Sequence, residues 1–393
     1  MKASSRSQVS PFAVMEIISA ANARRAAGQR VLNLCVGEPS SGAPEVVRRR
    51  ARELLERGDL GYTEAVGIPA LRSELAAHYR RWYGVDVDPR AVAVTTGSSG
   101  GFLLAFLAAF DPGDRVAVAR PGYPAYRNIL RSLGCEVVEL PCGPDTRYQP
   151  TVAQLDALRE PIAGLVVAGP ANPTGTLVDP PTLAALADWC ADHDVRLVSD
   201  EIYHGITYGE RPGPGDAAGA PTAATRLDAG AVVVSSVSKD WAMTGWRLGW
   251  LVLPDDLVGA VDALAGNLAL CPPALAQHAA VAAFSAEGYA AATANVAAYA
   301  ASRRLVLDHL PALGWPRAAP ADGAFYVYGD ISPTGLDSVT WCARLLDEAG
   351  VALTPGTDFD GAHGHDWVRL SFAAAPEVVA EALDRVVAWQ RTL

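Results

Sequence analysis

The stretch AVAVTTGSSGGFLLAFLAAF, residues 91–110, decides the fold. Its first six residues are apolar and β-rich with no polar alternation, as in a strand buried on both faces. A Gly/Ser turn follows, then the apolar helical pattern Gly101 to Phe110. The chain repeats this unit outward from there. Asp111-Pro-Gly-Asp is a turn, RVAVA at 115–119 a second strand, and 125–133 a helix that Gly134 stops. Strands are predicted again at 136–140, 164–168, 195–199, 231–235 and 248–253, with helices near 152–159 and 181–191. Such alternation over about 160 residues predicts an α/β domain, its central sheet mostly parallel and flanked by helices.

Long helical patterns follow at 255–266 and 273–310, and beyond Gly314 short strands (324–328, 368–372) alternate with two more helices. This predicts a second, smaller α+β domain. The expected division is 1–45, a segment packing with the small domain; 46–295, the large domain; and 296–393, the small one. Residues 205–226, rich in Gly, Pro and Ala, read as a surface loop.

The 393 residues carry 32 basic and 43 acidic side chains, a net charge of −11. Nucleic-acid binding leaves a basic footprint, so that class is disfavoured. A chain 50% hydrophobic and 19% charged can bury a large core. No apolar run reaches the length of a membrane span, and the first twenty residues lack the apolar stretch of a secretory signal. The six cysteines are scattered, with no C-x-x-C pair, so neither a disulfide framework nor a metal site is expected. Buried thiols in a cytoplasmic protein are the expectation.

Four segments carry chemistry. Ser235-Ser-Val-Ser-Lys239 follows an apolar strand directly, and Lys2 and Lys239 are the only lysines. Arginine cannot lose its proton or form a Schiff base; lysine can do both. Asp200 ends another apolar strand, in Val198-Ser-Asp-Glu-Ile-Tyr203, where α/β proteins bind ligands. Thr96-Gly-Ser-Ser-Gly-Gly101 lies between strand and helix and offers a phosphate cradle. It also reads as G-x-S-x-G, with Ser99 as a hydrolase nucleophile and His363 or His365 as its base. Asn172-Pro-Thr-Gly175 forms a turn after a further strand.

These segments, with Met243-Thr-Gly-Trp-Arg-Leu-Gly, resemble the pyridoxal-phosphate-dependent class I/II aminotransferases of fold type I. The resemblance runs from Val36-Gly-Glu-Pro39 and Tyr62-Thr-Glu-Ala to Asp322-Gly-Ala-Phe-Tyr326 and Val368-Arg-Leu-Ser-Phe372, with order and spacing in agreement. It implies that Lys239 forms the Schiff base with pyridoxal 5'-phosphate and moves the substrate's Cα proton. Asp200 would pair with the ring nitrogen, and Tyr203 and Asn172 with the phenolic oxygen. Tyr123 would stack on the ring. Ser98, Ser99, Ser236 and Arg247 would hold the phosphate, joined by Tyr62 from a neighbouring subunit. That implies a homodimer with shared active sites. Arg369 would grip the substrate carboxylate beside Gly37 and Asn172. The reaction implied is ping-pong transfer of an amino group from an L-amino acid to a 2-oxo acid. A lyase or cyclopropane-forming synthase on the same fold is the alternative. His204 is a further residue expected to line the site.

Two departures bear on the substrate. Ser40-Ser-Gly replaces an acidic and an aromatic residue common in relatives, and Leu268-Ala-Leu-Cys-Pro-Pro273 is unusually apolar. No second arginine can be picked out for a side-chain carboxylate, so a neutral or hydrophobic amino donor is expected.

Overall fold

The computed structural model describes residues 2–9, 12–209 and 220–393. The short strand β1 (Leu32–Asn33) precedes a seven-stranded sheet. That sheet comprises β2 (Val92–Thr95), β3 (Arg115–Arg120), β4 (Glu136–Pro141), β5 (Gly164–Ala168), β6 (Arg196–Asp200), β7 (Val232–Ser236) and β8 (Gly249–Val252). Every boundary falls within one residue of its expected place. The order is β2-β8-β7-β6-β5-β3-β4. Pairing is parallel from β7 to β4, while β8 runs antiparallel to both β7 and β2.

The continuous apolar strands are explained by burial on both faces. Val116, Val166, Val198, Val232 and Val234 pack with Phe102 and Phe106 on one side. Leu165, Val167, Leu197, Val233 and Trp250 pack with Leu183, Leu186 and Trp241 on the other. Alternate residues thus feed two separate cores. Helix ends follow local chemistry. Asp179 accepts the Thr182 N–H at 2.8 Å at the start of Pro180–Asp192. Gly134, at φ 93°, ends Pro124–Leu133.

Two expectations need correction. The 273–310 pattern is not one helix: it divides into Ala274–Ala280, a 3-10 turn Val281–Phe284, and Ala286–Leu313. Ser285 makes the break, adopting extended backbone and accepting the Gly288 N–H at 3.2 Å. Position 295/296, where the sequence reading divides the domains, lies inside the last of these helices. The 205–226 segment is not wholly superficial either. Ile206, Ala220, Ala223 and Ala224 are buried, and small side chains let the backbone pack closely; positions 210–219 lie outside the described residues.

The C-terminal part contributes β9 (Tyr326–Asp330), β10 (Val351–Ala352), β11 (Thr354–Pro355) and β12 (Trp367–Ser371). β11, β12 and β9 form an antiparallel sheet. The N-terminal segment joins this part: β1 pairs with β10, Leu32 opposite Val351. Helix α1 (Ala13–Ala26) seats Ala21 and Ile18 with Cys35, Leu346 and Ala352. Among the described residues no helix is long and apolar enough to cross a membrane.

Candidate active site

The topology gathers the chemistry. Gly97, Tyr123, Asn172, Asp200 and Lys239 lie at or just beyond the carboxyl ends of β2, β3, β5, β6 and β7. Arg247 precedes β8, which runs the other way and therefore starts at the same end. A cavity of about 310 Å³ opens there. Gly37, Ser98, Ser99, Tyr123, Asn172, Asp200, Tyr203, Lys239, Arg247 and Arg369 all line it.

Lys239 Nζ donates to the Gly37 carbonyl at 2.6 Å. Burial, then the Arg369 guanidinium, lowers its pKa to about 8, against the pull of Glu38. Gly37 is obligatory for packing: a Cβ there would stand 1.7 Å from the Tyr326 hydroxyl. Asp200 is 6% exposed. Its Oδ2 accepts the Tyr126 hydroxyl and its Oδ1 the Ile202 N–H at 3.1 Å. Burial nonetheless pushes the carboxyl up to about 6. No ion pair joins Asp200 to a basic side chain among the described residues. A buried carboxylate without a cation fits a ligand that brings a positive N–H.

Tyr203 and Tyr326 pair through their hydroxyls at 2.7 Å. Arg369 is 5% exposed and lies over the Tyr326 and Phe359 rings, at 4.5 and 4.7 Å. It donates to Asn172 Oδ1 at 2.9 Å and to the Cys35 carbonyl at 2.5 Å. Its Nε is buried with no partner. An enclosed guanidinium with a spare donor fits a carboxylate.

The third subsite suits an anion. Ser98 and Ser99 open helix Gly97–Ala109, whose first N–H groups have no partner within the helix. Arg247 stands beside them, and a Cβ on Gly97 would come within 2.2 Å of its Nη2. Only glycine lets that arginine so close.

Two residues expected in the cavity, Ser236 and His204, lie elsewhere, as do both histidines of the hydrolase reading. Ser236 does not line the cavity: its Oγ stands 2.8 Å from the Leu248 carbonyl and 2.6 Å from Ser238 Oγ, and Ser238 takes the wall position. Tyr62, expected at a neighbouring subunit's phosphate, is 85% exposed and does not line this chain's own cavity. His204 turns behind Asp200, 2.9 Å from the Tyr83 hydroxyl and 3.4 Å from Glu201, so it does not line the site. His363 and His365 are exposed and line no part of the cavity, which leaves Ser99 without the base a hydrolase needs.

The sequence reading missed Tyr126 and gave Tyr326 no role. Tyr126 had a signal: a tyrosine on the buried face of a helix requires a partner for its hydroxyl. Phe12, Val14, Met15 and Ile18 of the N-terminal segment also line the cavity, with no local signal.

The family model described as aminotransferase class I and II matches residues 29–386. The chain is 54% identical to a valine–pyruvate aminotransferase of Mycobacterium tuberculosis over 386 residues, 98% of this chain and 97% of that one. It is 37% identical to an aspartate/prephenate aminotransferase of Thermus thermophilus, covering 95% of each. A crystal structure of an aminotransferase from Mycobacterium tuberculosis superposes with a TM-score of 0.95 at 52% identity, covering 100% of both chains. The Thermus thermophilus aspartate aminotransferase with maleate gives 0.89 at 35%, also covering 100% of both. These relatives are aminotransferases, so the hydrolase, lyase and synthase alternatives fall away.

Proposed function

This chain belongs to the class I and II aminotransferases, of fold type I, and transfers amino groups between amino acids and 2-oxo acids; on that premise we propose that pyridoxal 5'-phosphate is its cofactor and a neutral, apolar L-amino acid its donor. One observation carries the reading. A partly buried lysine amine, a buried carboxylate without a cation, and a buried guanidinium with a free Nε share one cavity.

Pyridoxal phosphate, when bound, supplies an aldehyde that takes up the amino group and a protonated ring that withdraws electrons. The chain's residues divide the remaining work. Lys239 Nζ is the attachment point for that aldehyde and the base for the proton at substrate Cα; its lowered pKa keeps a neutral amine accessible near neutral pH. Asp200 holds the ring N–H, with Tyr126 fixing the carboxylate's orientation. Tyr203 and Asn172 hold the phenolic oxygen, and Tyr123 covers a ring face. Ser98, Ser99, Arg247 and Ser238, backed by Ser236, take the phosphate. Arg369 takes the substrate carboxylate, leaving its side chain among apolar residues.

Three cations line the cavity, Lys239, Arg247 and Arg369, and each has a task. None is left for a side-chain carboxylate, which favours an apolar donor. The valine–pyruvate relative supports the same choice. We further propose a homodimer in which Tyr62 of each copy reaches the other's phosphate subsite; its 85% exposure in one chain agrees with that. The domain division at 45/46 and 295/296 belongs to the same proposal. Six free cysteines, five of them buried, accord with a cytoplasmic location.

The test is a visible absorption spectrum of the purified protein. A yellow band should bleach with L-valine and return with pyruvate. A band bleached only by aspartate or glutamate would overturn the donor assignment.

A further inference from the structure

We propose that Asp358 is a specificity-determining positioning residue, clamping the first turn of α1 so that its apolar side chains form the wall against which the donor's side chain packs. This rests on the donor class proposed above.

Asp358 is buried, and its two carboxylate oxygens have separate tasks. Oδ1 accepts the Ala13 N–H at 2.7 Å and Oδ2 the Val14 N–H at 3.0 Å. These are among the opening N–H groups of α1, which no carbonyl within the helix can satisfy. Phe12, at the N-cap position, offers no side-chain cap. A carboxylate 345 residues away in sequence therefore does the capping, and its charge suits the positive end of the helix.

The clamp is itself held. Arg127 donates to the carbonyls of Asp358 and Phe359. The Phe359 ring lies 4.7 Å from the Arg369 guanidinium. Two consecutive residues thus join two subsites: Asp358 sets α1, and Phe359 packs on the group that takes the substrate carboxylate. A substrate held by Arg369 then has its side chain close to the first turn of α1. Phe12, Val14, Met15 and Ile18 line the cavity from that segment. The body of α1 is seated by Ile18 and Ala21, so its register on the core does not depend on Asp358. The pitch of its first turn does.

The experiment uses the holoenzyme and its Asp358→Ala variant. It measures kcat/KM for L-valine and L-alanine, and amide hydrogen exchange over residues 13–18. A methylene in an apolar pocket is worth about tenfold or more in kcat/KM. The valine-to-alanine ratio should therefore fall about tenfold in the variant, through KM more than kcat, and exchange over 13–18 should speed up. Asp358→Asn keeps an acceptor oxygen and should recover part of the ratio. Ala13→Pro deletes one of the two N–H donors without touching Asp358. Proline suits the first helical position, and Phe12 before it is already extended. This variant should move the ratio in the same direction by a smaller factor, and it decides the matter if Asp358→Ala does not fold. An equal fall for both substrates, or faster exchange with an unchanged ratio, overturns the inference alone. A wild-type enzyme that accepts neither amino acid overturns the donor class, and the inference falls with it.

Discussion

At the carboxyl end of the parallel strands, Asp200 and Arg369 are 6% and 5% exposed around a cavity of about 310 Å³. At the opposite end a wider cleft of about 760 Å³ opens among Asp194, Arg196, Asp228, Asp255 and Asp256. The second space is larger and just as charged, yet its charges stay near water. Arg196 pairs with Asp256 at 2.5 Å, and the Asp256 side chain is 58% exposed. Charge becomes reactive where the protein withholds water and partners, not where space is greatest. The strand direction decides which end that is, because loops and helix N-termini converge at the carboxyl ends.

The largest test of this contrast is Lys239→Ala. Without an amine to attach or to carry a proton, turnover should fall roughly 10³-fold or more. Lys239→Arg should do no better, since a guanidinium cannot serve as base. Comparable activity in either variant, measured by single-turnover kinetics, would break the comparison. Next, Arg369→Ala removes the enclosed guanidinium. The expected loss in kcat/KM is about 30-fold or more, mostly in KM, as for a buried charged pair. Lysine at this position should recover only part, lacking the fork.

A smaller effect concerns stability against pH in the protein freed of cofactor. Lys239 has its pKa lowered from 10.5 to about 8, so the unfolded chain binds the proton more tightly. Stability therefore rises with pH between those values. Asp200 is raised from 3.8 to about 6, so the folded chain binds its proton more tightly and stability falls as pH rises through that window. Lys239→Met should raise the melting temperature at pH 7 by about 2 °C, a gain that vanishes by pH 10.5. Asp200→Asn should stabilise at pH 7 and lose its advantage below pH 4. Gains independent of pH in calorimetry would contradict the buried-charge account.

The smallest effect on turnover belongs to the far cleft. Arg196→Ala removes a partly buried guanidinium that bonds both Asp256 and the Gly230 carbonyl, so it should cost about 1–2 kcal/mol of stability and leave kcat/KM within twofold. A tenfold loss would show that the far end takes part in function.

Much of the site was legible in the sequence because its residues sit where strands stop. Lys239 follows β7, Asp200 ends β6 and Asn172 follows β5. A strand's end is a local property, and a polar residue after an apolar run announces itself. The Ser236 and Ser238 positions show the limit. Both belong to one Ser-rich turn, and which hydroxyl reaches the cavity depends on the carbonyl of Leu248, twelve residues on. Tyr126 was legible as a helical residue, but not as the donor to Asp200, 74 positions away. The break at Ser285 was hidden because alanine-rich stretches on both sides satisfy the same helical pattern.

The sequence alone determined the strand series, the two-sided burial of the sheet, and the chemistry available at its ends. Each follows from the period of apolar residues and from side-chain type, which a chain carries wherever it lies. Tertiary structure alone decided which groups lose water, which keep a vacant partner, and that Asp358 caps a helix at the far end of the chain. Those properties depend on distances through space between segments hundreds of residues apart, and burial and hydrogen bonding exist only once the segments have met.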